Sequence, residues 1–282
     1  MKMFKVYKSI VSNDLIDSLI ASHEKFKGKR SSYFRSQGTL AFEKPIIDEL
    51  GNQINSIQNP HLLGISNEFS SLVKNIIYSD EIFQCVKDFM GSNEITHYQS
   101  MFFDRSTATA MHQDTWYLDT TPAGGLIGVW IALEDIKADA GSFYIYSDFV
   151  DRKLSSVEMK ASINSKFNFF AKKGDVLVWN SFAIHGADKP ISNFLTRKSL
   201  TAHFYPTGAI IQDPPIKRPF SIYDHQNPGS TSHSSIKSAT TFNPFLYQLM
   251  CISLAKLGKF SSRLTGDHTA NKGLSEIRNI EK

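Results

Sequence analysis

A chain of 282 residues, 41% hydrophobic and 21% charged, is long and apolar enough to bury a full core. Its 31 basic side chains against 27 acidic ones leave a net charge of +4, too slight an excess to indicate a nucleic acid or an anionic membrane as partner. No stretch reaches the roughly 18 apolar residues of a bilayer crossing, and the opening MKMFKVYKSIVSND has no continuous apolar run, so the expectation is a cytoplasmic protein with no transmembrane segment.

In chain order, residues 1–92 read as a helical layer. Ser12-Asn13-Asp14 offers a helix start before Leu15, Ile16, Leu19 and Ile20. Further helical stretches are predicted near Ile46 to Ile57, from Glu68 to Ile77, and from Glu81 to Met90 with Gly91 as the stop. The basic run Lys25, Lys27, Lys29 and Arg30 reads as a solvated helix end. Cys85 and Cys251 lack metal-type spacing and are expected to be reduced, small apolar side chains.

From Ile95 the texture changes to short, aromatic and β-branched segments: 95–103, 126–133, 141–146, 174–179 and 195–205. The stretch 151–171 reads as a helical or loop insertion. Residues 93–206 therefore predict a mainly β core with flanking helices, a jelly-roll type of sandwich or barrel. Beyond Pro206 comes a loop-like stretch with Pro214, Pro215, Pro219 and Pro228, then Ser- and Thr-rich residues from Gly229 to Thr241. A helix over 243–260 follows, expected on the barrel or in a homodimer contact, and residues 261–282 are polar and read as frayed. The whole chain, 1–282, is expected to form one domain.

Two clusters carry chemistry. His112-Gln113-Asp114 is an H-x-D triplet just after an alternating strand. Alone it is weak, since nine histidines give about half a match by chance. The period-two spacing, however, puts His112 and Asp114 on one face, and His185 follows another predicted strand as a third ligand. Two imidazoles and one carboxylate form the facial triad of non-haem iron(II) oxygenases, leaving open positions for a chelating cosubstrate and dioxygen. No cysteine accompanies them, which argues against structural zinc. Twelve residues after His185, Arg197, Ser199, Thr201 and His203 share one face of a strand. Turned inward, Arg197 offers a carboxylate a bidentate fork and Ser199 adds a donor. Turned to water, the same face is an ordinary sheet surface.

These residues, together with W-I-A-L-E-D-I (130–136), A-D-A-G (138–141), G-D-V-L-V-W (174–179), I-H-G (184–186) and R-K-S-L-T-A-H-F (197–204), resemble the phytanoyl-CoA dioxygenase (PhyH-like) family over about 94–206. The resemblance implies a double-stranded β-helix, Fe(II) on His112, Asp114 and His185, and 2-oxoglutarate on Arg197 with Ser199 as a further contact. It also places Gln99 toward cosubstrate or substrate, and Trp116 and Tyr117 on the substrate side. With Phe103 these suggest an aromatic-walled pocket for a small molecule. The family's N-G stands here as Ala140-Gly141, and its following P-G-S-H is replaced by Tyr146 to Phe149, so substrate identity does not carry over. The expected reaction is hydroxylation with conversion of 2-oxoglutarate to succinate and CO2. Desaturation and cyclisation stay open; halogenation is disfavoured because Asp114 is present. The alternatives are a non-catalytic jelly-roll binding protein and a cupin-type isomerase, neither of which needs the full set of triad and arginine.

Overall fold

A computed structural model of the chain describes residues 2–212, 228–230 and 236–265. Its centre is built from the strands Ile95–Phe103, Thr109–His112, Ile127–Ala132, Phe143–Tyr146, Lys166–Phe169, Val176–Asn180, His185–Ala187 and Ser199–Pro206. Counted along the chain, the sixth, third, eighth and first of these lie side by side in a large sheet. The fifth, fourth, seventh and second form a smaller one. The ladders among these eight strands are antiparallel. Two such sheets sharing a core make the double-stranded β-helix.

Strand parity explains why the central strands read as continuous apolar runs. Val176 and Val178 pack outward with Val129, Ile131, Leu200 and Ala202, under helices that contribute Ile16, Leu19, Val73, Ile76 and Val86. Leu177 and Trp179 pack inward with Trp130, Phe143, Ile145 and Phe169. With both faces covered, neither face needs polar side chains.

The flanking helices follow their local signals. Ser12 caps Asn13–Lys27 by accepting from the Leu15 N–H, and Ser79 caps Asp80–Met90, which ends at Gly91 with φ +78°. The helix Asn67–Ile77 lies between these two in the chain. Pro244–Thr265 buries Tyr247 and Cys251 in the outer cluster. Gly64 permits its close approach, since a Cβ there would lie 2.6 Å from the Phe245 nitrogen. Cys85 and Cys251 are free and buried. Among the described residues no helix is long and apolar enough to cross a membrane.

Several expectations need correction. No helix forms over 46–57. The Asp48 carboxylate accepts from the Leu50 and Asn52 N–H groups, Ile54 N–H bonds to Ile46 O, and Gly51 sits at φ +83°. This side-chain turn outcompetes the helix that the apolar spacing suggested, and Ile46, Ile47, Leu50 and Ile54 are left exposed. The N-terminal layer is not only helical either. Phe4–Tyr7 adds to one edge of the large sheet, while Ile57–Gln58, Phe34–Ser36 and Phe42–Glu43 extend the other. Lys27 is not solvated: its ammonium is buried against Asp104 at 3.3 Å.

The stretch 151–171 resolves into the helix Ser156–Ser162, with a capping box at Ser155, and the strand Lys166–Phe169 of the small sheet. The C-terminal extension adds short strands Ile210–Gln212, Gly229–Ser230 and Ile236–Ser238. Pro214, Pro215, Pro219, part of the Ser- and Thr-rich stretch (231–235) and the polar tail from 266 lie outside the described residues.

Candidate active site

The register of the large sheet turns single residues into a wall. Ser199 lies opposite Phe103 and Ala132, Thr201 opposite Met101 and Trp130, and His203 opposite Gln99 and Gly128. Directly opposed residues share a face, and this face carries the inward-packed Trp130 and Ala132. The polar run is therefore interior. Arg197, Ser199, Thr201 and His203 are all buried, so the solvated-face alternative is excluded.

Across from this wall, the small sheet sets His185 directly opposite His112 in its ladder. Asp114 opens a 3-10 turn right after the strand that ends in His112. Nε2 of His112 lies 3.7 Å and Nε2 of His185 3.6 Å from Asp114 Oδ1. One ligand atom from each of the three falls within a 4.8 Å group. Each imidazole is turned the same way: Nδ1–H donates to a backbone carbonyl two residues back, Ala110 for His112 at 2.8 Å and Ala183 for His185 at 2.9 Å. That fixes the tautomer and leaves both Nε2 lone pairs facing the carboxylate.

Burial pushes His185 down to about 4, helped by the neighbouring His112 and opposed by Asp114, so the ring is neutral at physiological pH and fit to ligate. Burial alone would raise the Asp114 carboxyl, but the imidazoles of His185, His112 and His203 packed around it hold it well below the usual carboxylate range. Its second oxygen, Oδ2, accepts from the Trp179 indole N–H at 2.8 Å and lies 3.6 Å from His203 Nε2. Gly128 makes room for that indole, since a Cβ there would sit 2.2 Å from Trp179 Cε2. The cluster opens outward on the His112 side, where 20% of the side chain is exposed, against 5% for His185.

Arg197 sits at the far end of the wall. Its guanidinium donates to three backbone carbonyls: Thr107 at 2.7 Å, Asp188 at 3.4 Å, and Gly141. Among the described residues, that leaves two of the five N–H bonds to meet an anion. Burial lowers it to about 10, with Asp188 opposing, so it keeps its charge. Gly141 is fixed twice over, by φ +76° and by the Asp188 carbonyl 2.4 Å from where a Cβ would be. The glycine of the altered family motif thus anchors the arginine. The loop that replaces P-G-S-H leaves the small sheet beside His185, with Tyr146 N–H bonded to Ile184 O.

Ser199 Oγ is buried with no hydrogen-bond partner among the described residues. That orphan hydroxyl beside Arg197 fits a carboxylate oxygen, and two imidazoles with one carboxylate fit Fe(II). Gln99 is buried on the same wall. Of the aromatic residues expected at the substrate, Tyr117 meets the His112 ring edge-on at 5.8 Å, and Trp116 is 38% exposed under the Lys153 ammonium. Phe103 lies elsewhere, opposite Ser199 near the arginine end. The second possible metal cluster, His23, Glu24 and Asp104, is compromised because Lys27 and Lys198 already bind the Asp104 carboxylate.

Trp179 and Gly128 carry no signal of their role in the sequence taken residue by residue. Trp179 has the strand parity of an inward residue, but nothing in its own segment names Asp114 as its partner.

A double-stranded β-helix holding a His-Asp-His cluster opposite a buried arginine is the framework of an oxygenase-type enzyme. Residues 5–199 match phytanoyl-CoA dioxygenase (PhyH), and the chain belongs to this family, whose cofactors are Fe(II) and 2-oxoglutarate. Phytanoyl-CoA dioxygenase domain-containing protein 1 of Mus musculus is 23% identical over 216 residues, spanning 66% of this chain and 72% of the relative. Among solved structures, the epimerase SnoN in complex with Fe3+, alpha ketoglutarate and nogalamycin RO superposes with a TM-score of 0.60 at 14% identity, covering 84% of this chain and 94% of SnoN. The alpha ketoglutarate dependent carbocyclase SnoK from nogalamycin biosynthesis gives 0.56 at 12% identity, covering 74% and 81%.

Proposed function

We propose that the protein hydroxylates an unactivated C–H bond of a small molecule, with His112, Asp114 and His185 as the iron ligands. Arg197 and Ser199 hold the distal carboxylate of 2-oxoglutarate, and Gln99 contacts the same cosubstrate. When bound, the iron and its cosubstrate supply the oxidising chemistry: dioxygen is consumed, 2-oxoglutarate leaves as succinate and CO2, and one oxygen atom enters the substrate.

The chain's own contribution is placement. Asp114 would hold the metal while the Trp179 N–H retains its Oδ2. Arg197, unable to lose its proton at neutral pH, fixes the cosubstrate's far end. Thr201, Met101 and Trp130, on the same wall, are buried, which keeps water away from it. Trp116 and Tyr117, at the open His112 side, border the substrate. The observation that carries this reading is the unpartnered Ser199 Oγ beside a buried arginine, on the wall that also faces the His-Asp-His cluster.

Desaturation or cyclisation would use the same residues, and the epimerase and carbocyclase of like fold make the outcome a matter of how substrate is held at Trp116 and Tyr117. The complete donor set disfavours both a non-catalytic binder and a cupin-type isomerase.

Anaerobic addition of Fe(II) and 2-oxoglutarate is expected to produce a weak visible charge-transfer band that is absent in His112→Ala. A wild-type protein that gives no band, and releases no succinate in air across a panel of small-molecule substrates, would sink the proposal.

A further inference from the structure

The inner face of the large sheet continues past the core onto its added edge strands, and so does a line of polar side chains. Arg35 lies opposite Gln58, and Gln58 opposite Met101, so all three share the face that carries Gln99 and His203. Arg35 Nη1 donates to Gln58 Oε1 at 2.9 Å, and Gln58 Nε2 donates to Gln99 Oε1 at 3.1 Å. Both glutamines are buried, at 1% and 2% exposure.

An amide side chain has a donor end and an acceptor end, and either can usually face a given neighbour. Here the choice is forced from one end. A guanidinium has no acceptor, so Arg35 can only take the Gln58 carbonyl. Gln58 must then offer its NH2 to Gln99, and Gln99 must answer with its carbonyl. The NH2 of Gln99 is left for the interior, beside His203, whose ring lies 3.6 Å from the second oxygen of Asp114. The hydrogen bond from Gln58 takes up the Gln99 carbonyl, not this NH2.

We infer that Arg35 and Gln58 are positioning residues that lock Gln99 as a hydrogen-bond donor toward an oxygen of 2-oxoglutarate. This rests on the assignment of Gln99 to the cosubstrate made above. Neither Arg35 nor Gln58 touches the ligand; each acts by denying Gln99 its other orientation. The ligand atom that Gln99 meets is therefore an acceptor, as a carboxylate or keto oxygen is.

The test is an isosteric reversal. Gln58→Glu still pairs with Arg35 but has no donor, so its remaining oxygen accepts from Gln99 and turns the Gln99 carbonyl toward the anionic cosubstrate. The Kd of 2-oxoglutarate for the Mn(II)-loaded protein, by calorimetry, is expected to weaken by about ten- to a hundredfold, the scale of one lost hydrogen bond to a charged acceptor. Gln99→Leu should weaken it similarly, the double variant no more than Gln99→Leu alone, and Mn(II) affinity should hold in all three.

Arg35→Met, which frees Gln58 to turn over, should lose several-fold, while Arg35→Lys, still only a donor, should retain wild-type affinity. This pair keeps the test alive if Gln58→Glu folds poorly. The polarity relay is overturned if Gln99→Leu weakens 2-oxoglutarate binding while Gln58→Glu and Arg35→Met stay within twofold of wild type. If Gln99→Leu itself has no effect, the cosubstrate role of Gln99 falls, and the relay with it.

Discussion

Replacing Trp179 by Phe separates what the indole does for the metal from what it does for packing. The substitution removes the N–H that donates to Asp114 Oδ2 at 2.8 Å. A hydrogen bond to a charged acceptor contributes about 1.5–3 kcal/mol, and removing such a support from a metal ligand typically weakens metal affinity by about ten- to a hundredfold. The smaller ring also vacates roughly 40 Å³, which at about 24 cal/mol per Å³ costs near 1 kcal/mol of folding stability. The two effects can be told apart at Gly128, because a Cβ there would fall 2.2 Å from Trp179 Cε2, in the space the indole fills. Gly128→Ala combined with Trp179→Phe should recover part of the packing loss in thermal melts without recovering metal affinity. Gly128→Ala alone should lose metal affinity with Trp179 still present, by pushing the indole off Asp114. Ni(II) affinity measured by competition with a chromophoric chelator, alongside melts of the metal-free proteins, reads both quantities. Wild-type affinity in Trp179→Phe, or affinity restored together with packing in the double variant, would show that the indole N–H does not support the ligand.

Arg197→Lys keeps the charge but not the fork; 2-oxoglutarate affinity is expected to drop at least tenfold with metal affinity kept, and equal loss of both would count against the assignment. His97 is driven down to about 3, mainly by burial, with a backbone hydrogen bond opposing. Because the unfolded chain takes up that proton first, stability is whole above pH about 6.5 and drains as pH falls toward about 3. His97→Asn should therefore flatten the fall in urea midpoint between pH 7 and pH 4.5; an unchanged slope assigns the fall to other groups. Ser155→Ala breaks the capping box of Ser156–Ser162 and should cost about 1 kcal/mol in urea unfolding, leaving metal affinity unchanged because the box lies at the surface.

What the sequence discloses here divides along physical lines. A strand enforces a period of two, so the run from Arg197 to His203 declares a polar face by itself, and His112 and Asp114 share a direction for the same reason. Helix ends are equally local: Ser12, Ser79 and Gly91 act on backbone groups within one turn. The stretch 46–57 misleads because its apolar spacing is helical while one carboxylate, that of Asp48, captures the backbone into a turn. Most opaque is whatever supports the ligands. Trp179 reaches Asp114 only because Gly128, on a neighbouring strand distant in sequence, leaves the indole room. Gln99 owes its polarity to Arg35, in a segment whose edge strand a helical reading overlooks. Parity tells which way a side chain points but not what it meets there, because that depends on register between strands distant in sequence. The ligands are therefore legible as a motif, while the residues that fix their orientation emerge only from the sheet.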